Sequence, residues 1–301
     1  MSATEKDEDE KLCCASCGIA GIDDINLKDC DDCDLVKYCS AECQKDHSPK
    51  HEEECKKRAA EIYDEILFKQ PEGRCDGDCP ICYLPLPIVP SQSILMSCCS
   101  KSICEGCYHA NQMREREGRL QQKCPFCRKK LAKTNEEWNE QLIKRVEAND
   151  PIAICRMGRE IYDEGDYKGA FEYWTKAAAL GDALAHHHLS SLYDEGKVVE
   201  KDEKRELYHA EQAAIGGQPN ARYNLGCTEE ANDRVDRAAK HWIIAAKLGH
   251  CKSLKIVRDL YKGGHVRKDD FEAALRGHHA AIEATKSHQR EEAEQFWLAK
   301  R

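Results

Sequence analysis

Residues 14–55 read CASCGIAGIDDINLKDCDDCDLVKYCSAECQKDHSPKHEEEC and hold eight ordered metal-binding side chains. They form four pairs: Cys14 with Cys17, Cys30 with Cys33, Cys39 with Cys43, and His51 with Cys55. A Cys-x2-Cys turn puts two thiolates on one side of a tight loop, whereas a three-residue gap puts two ligands one helical turn apart. We therefore predict the first two pairs on loops and the last two on helices. Together they fill two tetrahedral zinc sites with no open position, which is typical of structural zinc.

This spacing, with KYCSAEC at its centre and HEEEC at its end, resembles the MYND zinc finger, predicted over residues 13–56. The resemblance implies two interleaved zinc sites. The expected ligand sets are Cys14, Cys17, Cys39 and Cys43, and Cys30, Cys33, His51 and Cys55. It also implies that the finger binds short proline-containing peptides. Two neighbours compete as ligands: Cys13 fits a loop ligand less well than Cys14, and the family pattern favours His51 over His47.

A second cluster over residues 79–127 contains CPIC, CCSKSICEGC and CPFC, and it resembles a RING finger, predicted over 75–130. The resemblance gives a first zinc site of Cys79, Cys82, Cys104 and Cys107. The second site needs two ligands besides Cys124 and Cys127, and Lys101 stands where the usual pattern has histidine. A protonated lysine has no lone pair for a metal. We expect Cys98 and Cys99 to complete this site, as in all-cysteine variants, with His109 as the alternative fourth ligand.

The resemblance to RING fingers implies a ubiquitin ligase without catalytic residues of its own. Such a module binds a ubiquitin-charged conjugating enzyme and orients the thioester, so its catalysis is positioning. The expected partner-binding residues are Ile81, Pro125 and Arg128. However, CPxC is common in zinc modules, and Arg128 begins the basic run RKKLAK. A non-catalytic scaffold that joins protein partners therefore stays open as the alternative, and whether the protein is an enzyme is left undecided.

The downstream half, residues 150–285, repeats an alanine pair followed by a small residue four positions after its first alanine. The pairs begin at Ala177, Ala213, Ala245 and Ala280. This spacing is in the range of helix–turn–helix solenoids. The phrases SLYDEGKVVEKD and EYWTKAAALGD resemble Sel1-like repeats, which are related to tetratricopeptide repeats. Solenoids of this kind typically bind peptides or proteins on a concave face.

Three features of the helical half carry further expectations. The third repeat lacks the loop glycine of the others, which leaves its inter-helix turn open. The consecutive residues His186, His187 and His188 point to different faces of a helix, so we predict ordinary helix residues there and no metal site. The alanine pairs are expected to be helix-packing surface.

The remaining segments are an acidic tail over 1–12, predicted to be disordered, and helical linkers over 57–74 and 131–149. The first linker belongs to a helix predicted over residues 52–69, and the second begins with a capping box formed by Thr134 and Glu137. The last segment, 286–301, is a predicted capping helix. Its Phe296 and Trp297 are expected to pack against the last repeat.

Composition limits the remaining function classes. The chain has 301 residues and a net charge of −9, which argues against nucleic acid as a partner. No apolar run reaches the ~18–20 residues of a membrane span, and MSATEKDEDEK lacks the apolar core of a secretory signal. We therefore expect an intracellular protein, cytoplasmic or nuclear, whose 20 cysteines serve metal sites rather than disulfides.

The predicted fold class is two small zinc-stabilised α+β modules, MYND and cross-brace RING, followed by an all-α solenoid of helix-turn-helix repeats. The expected cofactor is zinc, with four structural ions per chain. The expected partners are a ubiquitin-conjugating enzyme and proline-containing peptides or proteins.

Overall fold

The computed structural model describes residues 13–19 and 27–299, so the predicted acidic tail over 1–12 lies outside the described residues. The chain divides into two compact units, residues 1–69 and residues 70–301. The first holds the upstream cysteine cluster. The second holds the downstream cluster together with all the helical repeats.

The described residues of the first unit form two short strands and one long helix. Strand β1 (Lys28–Asp29) pairs antiparallel with β2 (Lys37–Tyr38), and helix α1 spans Ala41–Leu67. The structure therefore begins the predicted linker helix earlier than residue 52. Ser40 explains this difference, because its side chain accepts a hydrogen bond from the Cys43 amide at 3.2 Å and caps the helix there. The helix continues through Pro49 and ends before Pro71, as the sequence indicates.

The second unit opens with a hairpin that leads directly into a helix. Strand β3 (Ser93–Met96) pairs antiparallel with β4 (Lys101–Cys104), and helix α2 (Glu105–Glu117) follows without a linker. Leu86, Met96 and Ile103 are buried among the cysteines. The core of this module is therefore small and consists largely of thiols, so it depends on whatever holds those thiols together.

Within the described residues ten helices follow, and each of the first eight of them packs against the next. Their bounds are α3 Asn135–Glu147, α4 Pro151–Asp163, α5 Tyr167–Ala179, α6 Ala183–Glu195, α7 Glu203–Ile215, α8 Pro219–Ala231, α9 Val235–Lys247, α10 Cys251–Lys262, α11 Lys268–Glu283 and α12 His288–Leu298. Aspartates cap four consecutive helices, α4 to α7, by accepting from their first amides. The region is an all-helical solenoid of four helix pairs.

Small residues allow the close packing of these helices. The alanine pairs that begin at Ala177, Ala213 and Ala245 are buried, which agrees with the packing role expected for them. The fourth pair differs, because Ala280 is exposed. Ala280 lines a cavity of about 700 Å³ together with Pro85, Leu86 and Ile88 of the preceding module. Within the described residues, this side of the last repeat thus lies beside the cysteine module.

In the third repeat, an aspartate takes the place of glycine in the turn between the two helices. Asp233 adopts φ 59°, in the left-handed region where the first repeat has Gly165 at φ 93°. Aspartate tolerates this conformation better than most residues. The absent glycine therefore does not interrupt the solenoid.

The three histidines of the run lie on α6 and are partly buried. His186 contacts His209, and the His188 ring stacks on Trp174 with centroids 4.4 Å apart. Burial lowers the pKa of His188 to about 4, so its imidazole is neutral at physiological pH. Among the described residues, no potential metal cluster includes these histidines.

The structure corrects the packing partner of the C-terminal helix. Helix α12 packs against α2 of the downstream cysteine module, and Phe296 places its ring 4.4 Å from that of His109. A helix that follows a repeat array in sequence is expected to cover its end. Here the cysteine module, about 170 residues upstream, provides the apolar contact instead.

Two buried tryptophans each hydrogen-bond to the preceding helix, one in the first helix pair and one in the third. The sequence patterns described above did not predict these contacts. Trp174 donates its indole N–H to the Cys155 carbonyl, and Trp242 donates its own to the Tyr223 carbonyl, at 3.1 and 3.2 Å. A Cβ atom added at Gly158 would meet the Trp174 indole at 2.7 Å, and one added at Gly226 would meet the Trp242 indole at 2.3 Å. The repeated Gly-x15-Trp spacing was the available signal.

We predict that Gly226→Ala lowers the free energy of unfolding by about 1–3 kcal/mol, because the added methyl group overpacks against the buried Trp242. Urea titration followed by circular dichroism measures this change. Gly73→Ala is the matched control, since no atom lies within 4 Å of its added Cβ. Equal stability of the two variants would contradict the tight approach of α8 and α9.

Candidate metal centres

Three of the Cys-x2-Cys pairs are held by turns that share one hydrogen-bond pattern. The residue after the second cysteine has a positive φ, and its amide donates to the carbonyl of the first cysteine at 2.8–3.0 Å. The donors and acceptors are Gly18 and Cys14, Tyr83 and Cys79, and Arg128 and Cys124. This turn directs both thiols to the same side of the loop, which is the arrangement that a shared metal requires.

The first unit brings its eight predicted ligands together in the two expected sets. One set is Cys14, Cys17, Cys39 and Cys43, and the other is Cys30, Cys33, His51 and Cys55. Within each set, the ligating atoms all lie within 4.8 Å of one another. Only the first pair of each set lies wholly on a loop. Cys43, His51 and Cys55 project from α1, while Cys39 precedes it.

The competing ligands of this unit lie outside both sets. His51 is buried and places its Nε2 3.1 Å from the Cys33 sulfur. His47 instead contacts the Tyr38 hydroxyl through its Nδ1 at 3.0 Å. Cys13 belongs to neither set. His47 therefore supports the buried Tyr38 ring beside the site.

A bidentate ion pair stabilises the loop that follows Cys33. Arg58 of α1 donates through Nε and Nη2 to the two carboxylate oxygens of Asp34, at 2.7 and 2.9 Å. Paired N–H donors fix orientation as well as distance. Arg58 thus ties the second half of α1 to the loop that carries two of the thiols.

The second unit also brings two four-cysteine sets together. They are Cys79, Cys82, Cys104 and Cys107, and Cys98, Cys99, Cys124 and Cys127. The two sets alternate along the chain, so the segments that carry them cross. Lys101 is exposed on β4, and His109 packs against Phe296, so neither contributes to a set.

Adjacent cysteines reach one site because Met96 takes the place of a first cysteine. The Ser100 amide donates to the Met96 carbonyl at 2.8 Å, and Ser100 has φ 54°, as in the other turns. In this turn Met96 stands where the other turns have their first cysteine, and Cys99 stands where they have their second. Cys98 supplies the missing sulfur, which lies 3.3 Å from that of Cys127.

The distances between sulfur atoms within three of the sets agree with tetrahedral coordination of a zinc ion. Tetrahedral zinc with Zn–S distances of ~2.3 Å requires sulfur atoms about 3.8 Å apart. The separations are 3.6 Å between Cys17 and Cys39, 3.8 Å between Cys82 and Cys104, and 3.9 Å between Cys99 and Cys124. These clusters support zinc binding.

The electrostatics of each cluster also favour a divalent cation. A hydrogen bond from Cys104 lowers the pKa of Cys79 to about 4, while the same contact raises the pKa of Cys104. Hydrogen bonding from Cys98 likewise lowers the pKa of Cys124 to about 2, and the pKa of Cys98 is raised. Sulfurs this close cannot all ionise against one another unless a cation offsets their charge. Zinc binds the thiolate form and would supply that charge.

A shallow groove of about 270 Å³ lies between the two cysteine sets of the second unit. It brings together Ile81, Pro125 and Arg128, the three residues expected to bind a partner. Its lining is Ile81, Cys107, Ala110, Asn111, Arg114, Pro125, Arg128 and Gln289. Ile81 is 37% exposed, so its apolar side chain is accessible.

Arg128 is held on α2 by contacts that the sequence did not reveal. Its Nη1 donates to Asn111 Oδ1 at 3.2 Å, and its Nη2 lies 3.6 Å from the carboxylate of buried Glu115. Glu115 also accepts from the Lys123 amide at 3.1 Å. No spacing rule links a helix residue to a zinc loop, so these partners required the tertiary structure.

The fold and sites define a zinc-finger protein with a helical repeat region. Residues 14–55 match the family model of the MYND finger. The module over 75–130 lies outside the matched range. A search of curated proteins gives no match.

Solved structures similar to the chain carry Sel1-type repeats. One is the Sel1 repeat protein from Oxalobacter formigenes, with 28% identity and a TM-score of 0.37, covering 40% of this chain and 97% of that chain. Another is a protective antigen of uropathogenic Escherichia coli strains that displays an SLR fold. It has 22% identity and a TM-score of 0.39, covering 64% of this chain and 40% of that chain.

Across the part of the chain that the structure describes, none of the helices combines the length and apolarity needed to cross a membrane.

We predict that Cys98→Ser removes about one zinc equivalent from the purified protein, because a tetrahedral site that loses a thiolate weakens sharply. Metal analysis by mass spectrometry measures the content. Cys13→Ser is the matched control, since Cys13 belongs to neither set, and it should keep the wild-type content. Full zinc content in Cys98→Ser would show that Cys98 is not a ligand.

Proposed function

We propose that this zinc-binding protein is a RING-type ubiquitin ligase with four structural zinc ions, whose other modules select protein partners. The observation that carries the proposal is the groove that unites Ile81, Pro125 and Arg128 between two alternating four-cysteine sets. The metal would be held by the sixteen clustered side chains and would supply structural rigidity. The chain would contribute a surface and no covalent chemistry.

Each groove residue has a distinct part in the proposed function. Ile81 and Pro125 lie on opposite zinc loops and offer an apolar contact to a conjugating enzyme. Arg128 leaves 49% of its side chain exposed, so its guanidinium can donate to bound ubiquitin while Asn111 orients it from behind. The ligase would thus accelerate transfer by holding the charged thioester in a reactive orientation.

Partner selection is proposed for the first unit and for the repeats. A cavity of about 330 Å³ beside α1 is lined by Tyr38, Ser48, His51 and Lys56 among others, and it is the candidate site for a proline-containing peptide. The helical solenoid offers further surface for proteins.

We predict that Ile81→Ala slows ubiquitin discharge from a conjugating enzyme by about tenfold or more, because interface anchors typically contribute ~2 kcal/mol or more. Single-turnover discharge of the charged enzyme onto free lysine measures this rate. Ile143→Ala is the matched control, because Ile143 is a similarly exposed isoleucine on α3. A wild-type protein that holds its zinc and discharges no conjugating enzyme would instead support the scaffold function.

Arg128→Ala should leave binding of the conjugating enzyme intact and slow discharge, because Arg128 acts on orientation. Titration calorimetry measures binding, and the same discharge assay measures transfer. Lys129→Ala removes a neighbouring exposed positive charge and serves as the control. Loss of binding and discharge by the same factor would assign Arg128 to the binding contact alone.

A further inference from the structure

The C-terminal helix lies closer to the downstream cysteine module than ordinary side-chain packing allows. A Cβ atom added at Gly106, in the first turn of α2, would lie 2.8 Å from the backbone atoms Arg290 N and Gln289 C. Such an approach is possible only where glycine stands. Gly106 lies between the ligand candidates Cys104 and Cys107, so the backbone of α12 contacts the helical turn that carries them.

Arg290 carries this contact into the first cysteine set. Its Nη1 donates to the Pro85 carbonyl at 2.7 Å and to the Thr285 carbonyl at 2.6 Å. Its Nη2 donates to the Leu84 carbonyl at 3.3 Å and to the Cys82 sulfur at 3.5 Å. One guanidinium thus connects the end of the repeats, the loop that follows Cys82, and a thiol of the set.

The charge of the set explains why a cation belongs there. Four thiolates around one zinc ion leave a net charge of about −2, which a partly buried site must balance. N–H donors to ligand sulfur atoms orient the ligands and stabilise their charged form. Arginine suits this position because its planar fork can hold carbonyls and a sulfur at the same time.

We propose that α12 is a structural part of the downstream cysteine module, and that Arg290 is the positioning residue through which it secures the first zinc site. This inference rests on the proposed zinc assignment. It adds a consequence for the groove, because Gln289 lines the groove beside Ile81 and places its Oε1 3.9 Å from the Cys107 sulfur. The surface offered to a conjugating enzyme would then include the end of the repeat region.

The test measures zinc release from the full-length, zinc-loaded protein into a chromophoric chelator. Arg290→Gln should release one zinc equivalent about tenfold faster than wild type, with the other equivalents unchanged, because residues that support metal ligands typically change metal affinity by 10–100-fold. Arg290→Lys keeps the charge and should recover part of the effect. Arg258→Gln, at an exposed arginine of α10, is the matched control.

A second variant tests the helix independently of its charge. Gly106→Ala should displace α12 and release the same single equivalent faster, whereas Gly73→Ala should behave as wild type. Wild-type release from Arg290→Gln would overturn the inference, and so would a faster release of all equivalents together. These readouts do not involve ubiquitin, so a wild-type protein without ligase activity would refute the proposed function and leave this inference standing.

Discussion

Mutual repulsion among closely spaced thiolates is the constraint on which both cysteine modules depend. Each of the four sets gathers its ligand atoms within 4.8 Å of one another, close enough to share one zinc ion. The buried cluster of the first unit contains one aromatic residue, Tyr38, besides its cysteines, and its strands are two residues long. A metal ion that converts repulsion into four bonds therefore replaces a hydrophobic core of ordinary size.

Alternation of the two sets in the downstream module creates its candidate functional surface. Because the segments cross, the loop that carries Ile81 and the loop that carries Pro125 line one groove together with α2, although the two residues are 44 positions apart in the chain. The hairpin formed by β3 and β4 supplies ligands to both sets, which fixes their separation. The same cysteine positions that would bind metal thus determine the shape of the groove.

Glycines of the repeat turns also position the downstream module on the solenoid. Gly217 accepts a backbone hydrogen bond from the Cys75 amide at 3.2 Å, and a Cβ added to it would meet the Gly73 carbonyl at 2.5 Å. A Cβ added at Gly249 would meet Ile88 at 2.5 Å. Both glycines have positive φ values as helix ends, so one residue type satisfies the turn and the docking contact. With α12 packed on α2, the module and the repeats form one compact unit.

The sequence by itself determined the ligand pairs and the helical repeats, because each follows from short-range spacing, whereas the grouping of the pairs into sets and the three groove residues were expectations from the resemblance to MYND and RING fingers. Turns and helices place residues two to four positions apart in fixed directions, so ligand pairs and alanine pairs can be recognised without tertiary information. The tertiary structure alone decided which surface α12 covers, and which partners hold Arg128. Phe296 and Trp297 are large apolar residues, which could pack equally well against the end of the solenoid or against the cysteine module. The choice depended on Gly106, which allows the backbone of α12 to approach, and on the Leu84 and Pro85 carbonyls, which accept from Arg290. Contacts between residues some 200 positions apart produce no spacing pattern in the sequence, because they depend on how whole modules pack against each other.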